Sequence, residues 1–207
     1  MTVRTSIDTS LASLVYAPSL EFLPFNIDNV AILDCCNGLI LCWCLGADGS
    51  YRYVIYNPVT QKFNILPPST HDVGHFIGEA HLGFDPIASS HFHVIEYVDV
   101  DAVCAGVEIY SSKTAAWIYK ESKWGLNTCL TIERSEEMKS SETVYLNDCL
   151  HIMGYLGAYP HILAVDMEGE TWRKIPCPHG SIGFIHQAQG HFCVCTVHGR
   201  NMSKLSI

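Results

Sequence analysis

His91 and His93 are the first residues to weigh for chemistry. Residues two apart on a strand share one face, so the pair could offer two imidazole nitrogens to a metal ion. No carboxylate or third ligand stands at a helpful spacing, and a packed or edge histidine pair is the simpler reading. The thiols point the same way. Cys42/Cys44 and Cys193/Cys195 are Cys-x-Cys pairs inside apolar, strand-like runs, so each pair shares one strand face. Zinc sites usually draw their ligands from turns with Cys-x-x-Cys spacing, which this chain lacks, so these pairs read as buried core thiols. Cys35 and Cys36 lie in no local Cys/His nucleophile signature, there is no Gly-x-Ser-x-Gly, and no glycine-rich loop opens a helix. The chain is therefore expected to be no enzyme, with no catalytic residue, no metal and no cofactor.

Composition narrows the remaining classes. Of 207 residues, 48% are hydrophobic and only 16% charged, which is enough apolar material for a true core. A net charge of −9 with twelve Lys and Arg argues against nucleic acid, whose binding needs clustered basic side chains. The longest apolar run, 39–45, is strand-length and far short of the roughly 18 residues needed to cross a bilayer. The first fifteen residues hold Arg4, Asp8 and scattered Ser and Thr with no continuous apolar stretch, so no secretory signal is expected. A cytoplasmic or nuclear location follows, in which the ten cysteines stay reduced.

The elements that must position these residues come from a repeat. Tyr56-Asn57-Pro58 leads to Phe63, Tyr110-Ser111-Ser112 to Trp117, and Val165-Asp166-Met167 to Trp172. The turn residues Asn57, Ser111 and Asp166 recur at intervals of 54 and 55 positions. Each unit resolves into four strand-like runs rich in β-branched and aromatic residues: 30–35, 39–45, 51–56 and 62–66; 81–84, 91–98, 107–110 and 116–120; 143–146, 150–155, 162–165 and 171–175. A fourth unit begins at 182–186 and 191–197, opens a third strand at 204–207 and is expected to remain unfinished. Four antiparallel strands per unit is the signature of propeller blades, with a β-sandwich as the alternative. The expected fold is all-β, a partial β-propeller of about three and a half four-stranded blades, with 1–29 as a lead-in and 30–207 as the propeller-like domain. Phe63, Trp117 and Trp172 are expected in the core between blades.

In particular stretches the residues resemble the plant F-box-associated proteins with kelch-like propeller domains. Ser19-Leu-Glu-Phe-Leu-Pro-Phe25 with Ile32-Leu-Asp-Cys-Cys-Asn-Gly-Leu-Ile-Leu-Cys42 is similar to their first-blade signature. Tyr53-Val-Ile-Tyr-Asn-Pro-Val-Thr60 with Leu66-Pro-Pro68 is similar to the segment that follows. The next blades are matched by Leu82-Gly-Phe-Asp-Pro86, His91-Phe-His-Val94 and Val107-Glu-Ile-Tyr-Ser-Ser112, then Ile162-Leu-Ala-Val-Asp-Met-Glu-Gly-Glu-Thr-Trp172 with Ile175-Pro176. The resemblance covers about residues 19 to 207. It implies the substrate-recognition subunit of a cullin-based ubiquitin ligase, whose F-box docks on a Skp-type adaptor while the propeller holds a target protein. Residues 1–18 are too short for the F-box helices and lack the Leu-Pro-x-Asp/Glu opening, so adaptor binding is expected only if an F-box is supplied elsewhere. The alternatives are a truncated decoy or inactive form, and a sugar- or small-ligand-binding propeller enzyme.

Topology says where a target would sit. In an up-and-down blade successive hairpins alternate between the two ends of the propeller. The connections between second and third strands share one end with the interblade stretches 67–80 and 122–142, and they are expected as longer loops at 46–50, 99–106 and 156–161. Asp48, Asp99, Asp101, Tyr155 and Tyr159 on or beside these loops are the candidate protein-binding residues, the tyrosines as anchors.

Overall fold

Two kinds of turn, each repeated from blade to blade, set the blades. The computed structural model describes residues 24–25, 30–70, 80–100, 103–124, 128–129, 143–156, 159–177, 183–188, 191–198 and 201–206. Asn37 and Gly38 (φ 46° and 86°) and Asn147 and Asp148 (φ 52° and 59°) place two consecutive residues in the left-handed region. That is the type I′ geometry whose twist suits a two-residue hairpin. These turns join β1 (Val30–Cys36) to β2 (Leu39–Leu45) and β10 (Thr143–Leu146) to β11 (Cys149–Leu156).

The repeat residues Asn57, Ser111 and Asp166 begin the longer turns between third and fourth strands. Asn57 Oδ1 accepts from Val59 N and Thr60 N at 3.0 and 3.1 Å. Ser111 Oγ accepts from Lys113 N at 3.3 Å, and Asp166 takes Glu170 N and Thr171 N at 2.8 and 2.9 Å. Short polar side chains that bond the backbone a few residues on are turn formers for this reason. Each turn then closes on a left-handed residue, Gln61, Ala115 or Gly169. These turns join β3 (Tyr51–Asn57) to β4 (Lys62–Ile65), β7 (Val103–Ser111) to β8 (Ala116–Glu121), and β12 (Tyr159–Asp166) to β13 (Trp172–Pro176).

The result is a partial β-propeller. β1-β2-β3-β4 form the first antiparallel sheet, and β5 (Ala80–Gly83), β6 (His93–Val100), β7 and β8 the second. β10-β11-β12-β13 form the third, and β14 (Gly183–Ala188), β15 (His191–His198) and β16 (Asn201–Ser206) a three-stranded fourth. A short β9 (Thr128–Cys129), inside a stretch expected to be loop, pairs with Tyr155 and Leu156 at the end of β11.

Apolar layers fill the spaces between blades. Leu41 and Ile55 of the first meet Leu82, Val94, Tyr110 and Trp117 of the second. Ile95, Tyr97, Val107 and Ile109 meet Leu150, Ile152, Leu163 and Val165 of the third. Val144, Met153 and Ile162 meet Ile185 and Val194 of the fourth. The alternation of these sets along each strand is what lets one blade bury both faces.

The three repeat aromatics are direct cross-strand partners of Tyr56, Tyr110 and Val165, as their common register requires. Their burial is not common. Trp117 is 9% exposed and lies between the first two blades, and Trp172 is half-buried against the layer between the second and third. Phe63 is 41% exposed, which corrects the expectation of a core position. Phe63 shares the face of Tyr56, the side of the first blade turned away from the second, and no described blade covers it. On that same side Cys42, Cys44, Val54 and Tyr56 are fully buried, with Phe25, Val30, Ile32 and Ile40 packed against them. The outer side of the first blade is therefore covered over Cys42, Cys44, Val54 and Tyr56 and exposed at Phe63 and Ile65.

Candidate recognition surface and axial cavity

Among the five candidate binding residues, Asp48 lies where expected, in the turn between β2 and β3. Gly46 N donates to Ser50 O at 2.8 Å and Gly49 N to Gly46 O at 3.0 Å, which closes the turn. Asp48 Oδ1 accepts from Ser50 Oγ at 2.6 Å and Ser50 N at 3.0 Å, and Arg52 Nη2 reaches Asp48 Oδ2 at 3.1 Å. Those bonds, from Ser50 first and Arg52 after, hold the carboxyl down at about 2. Asp48 is thus committed to its own turn.

Asp99, Tyr155 and Tyr159 lie in strands, which corrects the loops expected at 99–106 and 156–161. β6 and β7 run on to Val100 and from Val103, with Asp99 paired to Cys104 beyond an irregularity at Val98. β11 and β12 pair Tyr155 with Pro160 and Leu156 with Tyr159. Gly106 and Pro160 fall within those ranges, and each serves the ladder. A Cβ on Gly106 would meet Lys120 O at 2.4 Å, so that glycine permits close approach of two backbones. Pro160 is buried, and its carbonyl accepts from Cys177 N at 3.2 Å. Asp101 lies outside the described residues.

This lower end of the propeller presents two aromatic features. Tyr159 is 73% exposed. Trp43 and Tyr51 stack face to face, 3.9 Å between centroids and 8° from parallel, with Tyr51 45% exposed. The stack was missed because Trp43 reads as one more apolar residue of β2. The diagonal pairing set by Leu45 opposite Tyr51 brings the two rings together.

At the opposite end the inner strands β1, β5, β10 and β14 surround a cavity of about 310 Å³ on the propeller axis. Asp34, Asn37, Thr143, Tyr145, His186 and Gln187 contribute polar groups to its lining, and Leu82, Val144, Leu150 and Ile185 apolar ones. Bonds between and within blades fix four of these polar side chains, those of Asp34, Asn37, Thr143 and Tyr145. Leu82 N donates to Asp34 Oδ2 at 2.8 Å, and Asn37 Nδ2 and Cys36 Sγ donate to Phe84 O at 2.6 and 3.3 Å. Tyr145 Oη donates to Asp148 at 2.8 Å. His81 Nδ1 stands 3.1 Å from Thr143 Oγ1 and 3.7 Å from Asp34 Oδ2. A hydroxyl, an imidazole and a carboxylate invite comparison with a nucleophile relay. The relay needs hydroxyl and carboxylate on opposite ring nitrogens. Here both face Nδ1, so the trio ties the first three blades together at the axis.

The other sequence candidates are dispersed. His93 is in β6 while His91 precedes it, its N–H donating to Ser89 Oγ at 3.0 Å. Burial holds His93 below its ordinary value. Among the described residues no three His, Cys, Asp or Glu gather as metal ligands. Cys42 and Cys44 share one buried face, and burial pushes each thiol up to about 12. Cys36 rises to about 11 for the same reason.

No curated protein matches the chain. Among solved structures it is similar to the β-propeller domain of the Trilobed protease from Pyrococcus furiosus, at 14% identity and TM-score 0.43 over 85% of this chain and 56% of that one. It is also similar to the acylaminoacyl peptidase of Pyrococcus horikoshii, at 11% identity and TM-score 0.40, over 86% of this chain and 32% of that one. An ulvan lyase of polysaccharide lyase family PL25 aligns at 11% identity and TM-score 0.40, over 87% and 48%. The chain thus spans between a third and little more than half of these structures. The family of the F-box associated beta propeller domain matches residues 3–189, most of the chain and all of its first three blades, and the chain belongs to that family.

Proposed function

We propose that the chain recognises target proteins as the substrate-binding part of an F-box-type, cullin-based ubiquitin ligase subunit of plants. The observation that carries this reading is the family match over residues 3–189. The lower end supports it, with the Trp43–Tyr51 stack and Tyr159 as aromatic anchors of the kind that dominate protein interfaces. The role is binding without catalysis, in the cytoplasm or nucleus. Coupling to a Skp-type adaptor then depends on an F-box supplied elsewhere.

The test is affinity purification from plant cells of this chain and of a fusion carrying an F-box ahead of residue 1. The same target should be recovered with both, and its ubiquitylation should rise only with the fusion. Recovery of a target whose ubiquitylation never responds would favour the decoy alternative. A stable one-to-one complex of the unfused chain with the adaptor would overturn the proposed division of labour.

A further inference from the structure

We propose that the axial cavity receives the cationic side chain of an arginine or lysine in an exposed segment of the target protein. The inference rests on the recognition reading above and gives it a ligand chemistry. At about 310 Å³ the cavity lies at the small end of ligand sites, which run from about 300 to 1,000 Å³, and so suits one long side chain. Leu82, Val144, Leu150 and Ile185 form its floor, packed into the layers between blades and 7% exposed or less, so the stem of the guest is held at the mouth rather than by a deep apolar wall. Asp34 supplies the charge, and among the described residues no Lys or Arg lines the cavity.

The bonds of Asp34 leave capacity for such a guest. Oδ1 accepts from Cys35 N at 2.7 Å and Oδ2 from Leu82 N at 2.8 Å, with His81 Nδ1 3.7 Å from Oδ2. A carboxylate offers about four acceptor positions, so two backbone bonds fix the group without exhausting it. Its half-buried setting strengthens a charge-assisted contact over the same contact in water. The surroundings agree in sign. Asp85 and Asp148 both act electrostatically on Tyr145 at the cavity wall, and the chain as a whole carries −9. A basic segment would be steered toward this end and an acidic one repelled.

The experiment uses the whole chain and four capped pentapeptides, Gly-Ser-X-Ser-Gly with X as arginine, lysine, norleucine or glutamate. Binding is read from the amide resonances of Cys35, Asn37 and Leu82. The arginine and lysine peptides should shift these resonances saturably, and the norleucine and glutamate peptides should not. Asp34→Asn should weaken binding about tenfold or more, the loss of one charge-assisted contact. Gln187→Lys places an ammonium in the cavity while leaving the bonds of Asp34 intact, and it should abolish binding. If Asp34→Asn fails to fold, Gln187→Lys decides alone. Absence of saturable shifts at millimolar peptide, an equal response to norleucine, or unchanged binding by Gln187→Lys each overturns the proposal. Target capture by the same variants separates the two readings. Capture that survives Gln187→Lys but is lost in Tyr159→Ala retains recognition and overturns the cavity's part in it. Arginine-peptide binding without any captured target does the reverse.

Discussion

Tyr53 of the first blade donates its phenolic hydrogen to Glu96 Oε1 of the second, 2.7 Å away, beside the apolar layer that joins them. Glu96 is the direct cross-strand partner of Glu108, which is fully buried and accepts from Thr70 N at 2.8 Å and from the Thr70 hydroxyl. A polar seam therefore runs through the interface between two blades and fixes their register. Burial, followed by the nearby carboxylate of Glu96, drives the Tyr53 phenol far above its ordinary value, so it remains a donor at any working pH. Tyr53→Phe keeps the ring and removes the donor, and should lower unfolding free energy by about 1.5–3 kcal/mol. Denaturant titration with an unchanged slope is the check. A variant as stable as the parent would mean that the bond contributes nothing net.

The repeat aromatics should separate by burial. Trp117 stacks obliquely on Tyr53 and Tyr110, and its Nε1 donates to Pro67 O at 2.8 Å. Trp117→Ala should cost about 3–5 kcal/mol. Trp172→Ala should cost less, and Phe63→Ala under about 1 kcal/mol, since Phe63 faces solvent. Thermal melts of the three variants test that order, and an equal loss in all three would contradict the assigned faces.

Legibility of the fold followed from what the repeat encodes. Asn57, Ser111 and Asp166 each fold a side-chain oxygen onto their own turn, and that local chemistry is visible in a single sequence. The β1–β2 hairpin was readable from Asn37-Gly38 in the same way. Burial was not readable, because Phe63 and Trp117 hold equivalent places in their blades and differ only in whether another blade lies against them. Trp124 escaped for the converse reason. It sits off the repeat in a stretch read as connection, yet it is fully buried, edge-on to Trp172 at 4.6 Å, with Nε1 donating to Arg173 O at 3.2 Å. The candidate loops failed at Gly106, where a missing side chain marks a close backbone contact rather than a turn. The axial cavity is built from four strands far apart in sequence, and only the assembled blades bring Asp34, Thr143 and Gln187 around one space.

Gly106 supplies the third prediction. Alanine there would press its methyl on Lys120 O at 2.4 Å and on the Tyr119 ring at 2.7 Å. The backbone cannot yield without disturbing the β7–β8 pairing, so Gly106→Ala should destabilise by about 1–3 kcal/mol. Loss of amide protection at Glu121 and Val107 would accompany it in hydrogen exchange. Full stability would show that the two strands lie farther apart.

Mild acid should weaken the fold through two histidines. Burial holds His93 and His151 below the ordinary value of 6.5, offset in part at His93 by Asp148 and Glu168 and at His151 by hydrogen bonds to backbone carbonyls. In the unfolded chain both rings take up a proton near that value. The unfolded state then binds more protons as pH falls below it, and stability declines until the folded rings protonate in turn. The urea midpoint should drop between about pH 7.5 and about pH 5.5. His151→Gln should flatten part of that slope. An unchanged midpoint across the range would show that neither ring is buried as neutral imidazole.

Phe25 tests how the first blade closes its outer side. Its ring packs against the layer formed by Cys42, Cys44, Val54 and Tyr56, all of them fully buried. The Tyr56 hydroxyl is also buried there, with no hydrogen-bond partner among the described residues, so the layer is held by apolar contact. Two buried thiols make a convenient reporter, because burial both blocks access and pushes each up to about 12, which keeps them from the reactive thiolate at neutral pH. In the parent chain Cys42 and Cys44 should react with an aromatic disulfide reagent only as fast as the protein unfolds. Phe25→Ala should speed that labelling several-fold and, by uncovering apolar surface, raise light scattering at micromolar concentration. Phe25→Leu should restore most of the protection, since the site asks for apolar volume rather than an aromatic ring. Labelling of both thiols in the parent chain as rapid as that of exposed Cys35 would show that this face stands open, and that the contact made by Phe25 does not close it.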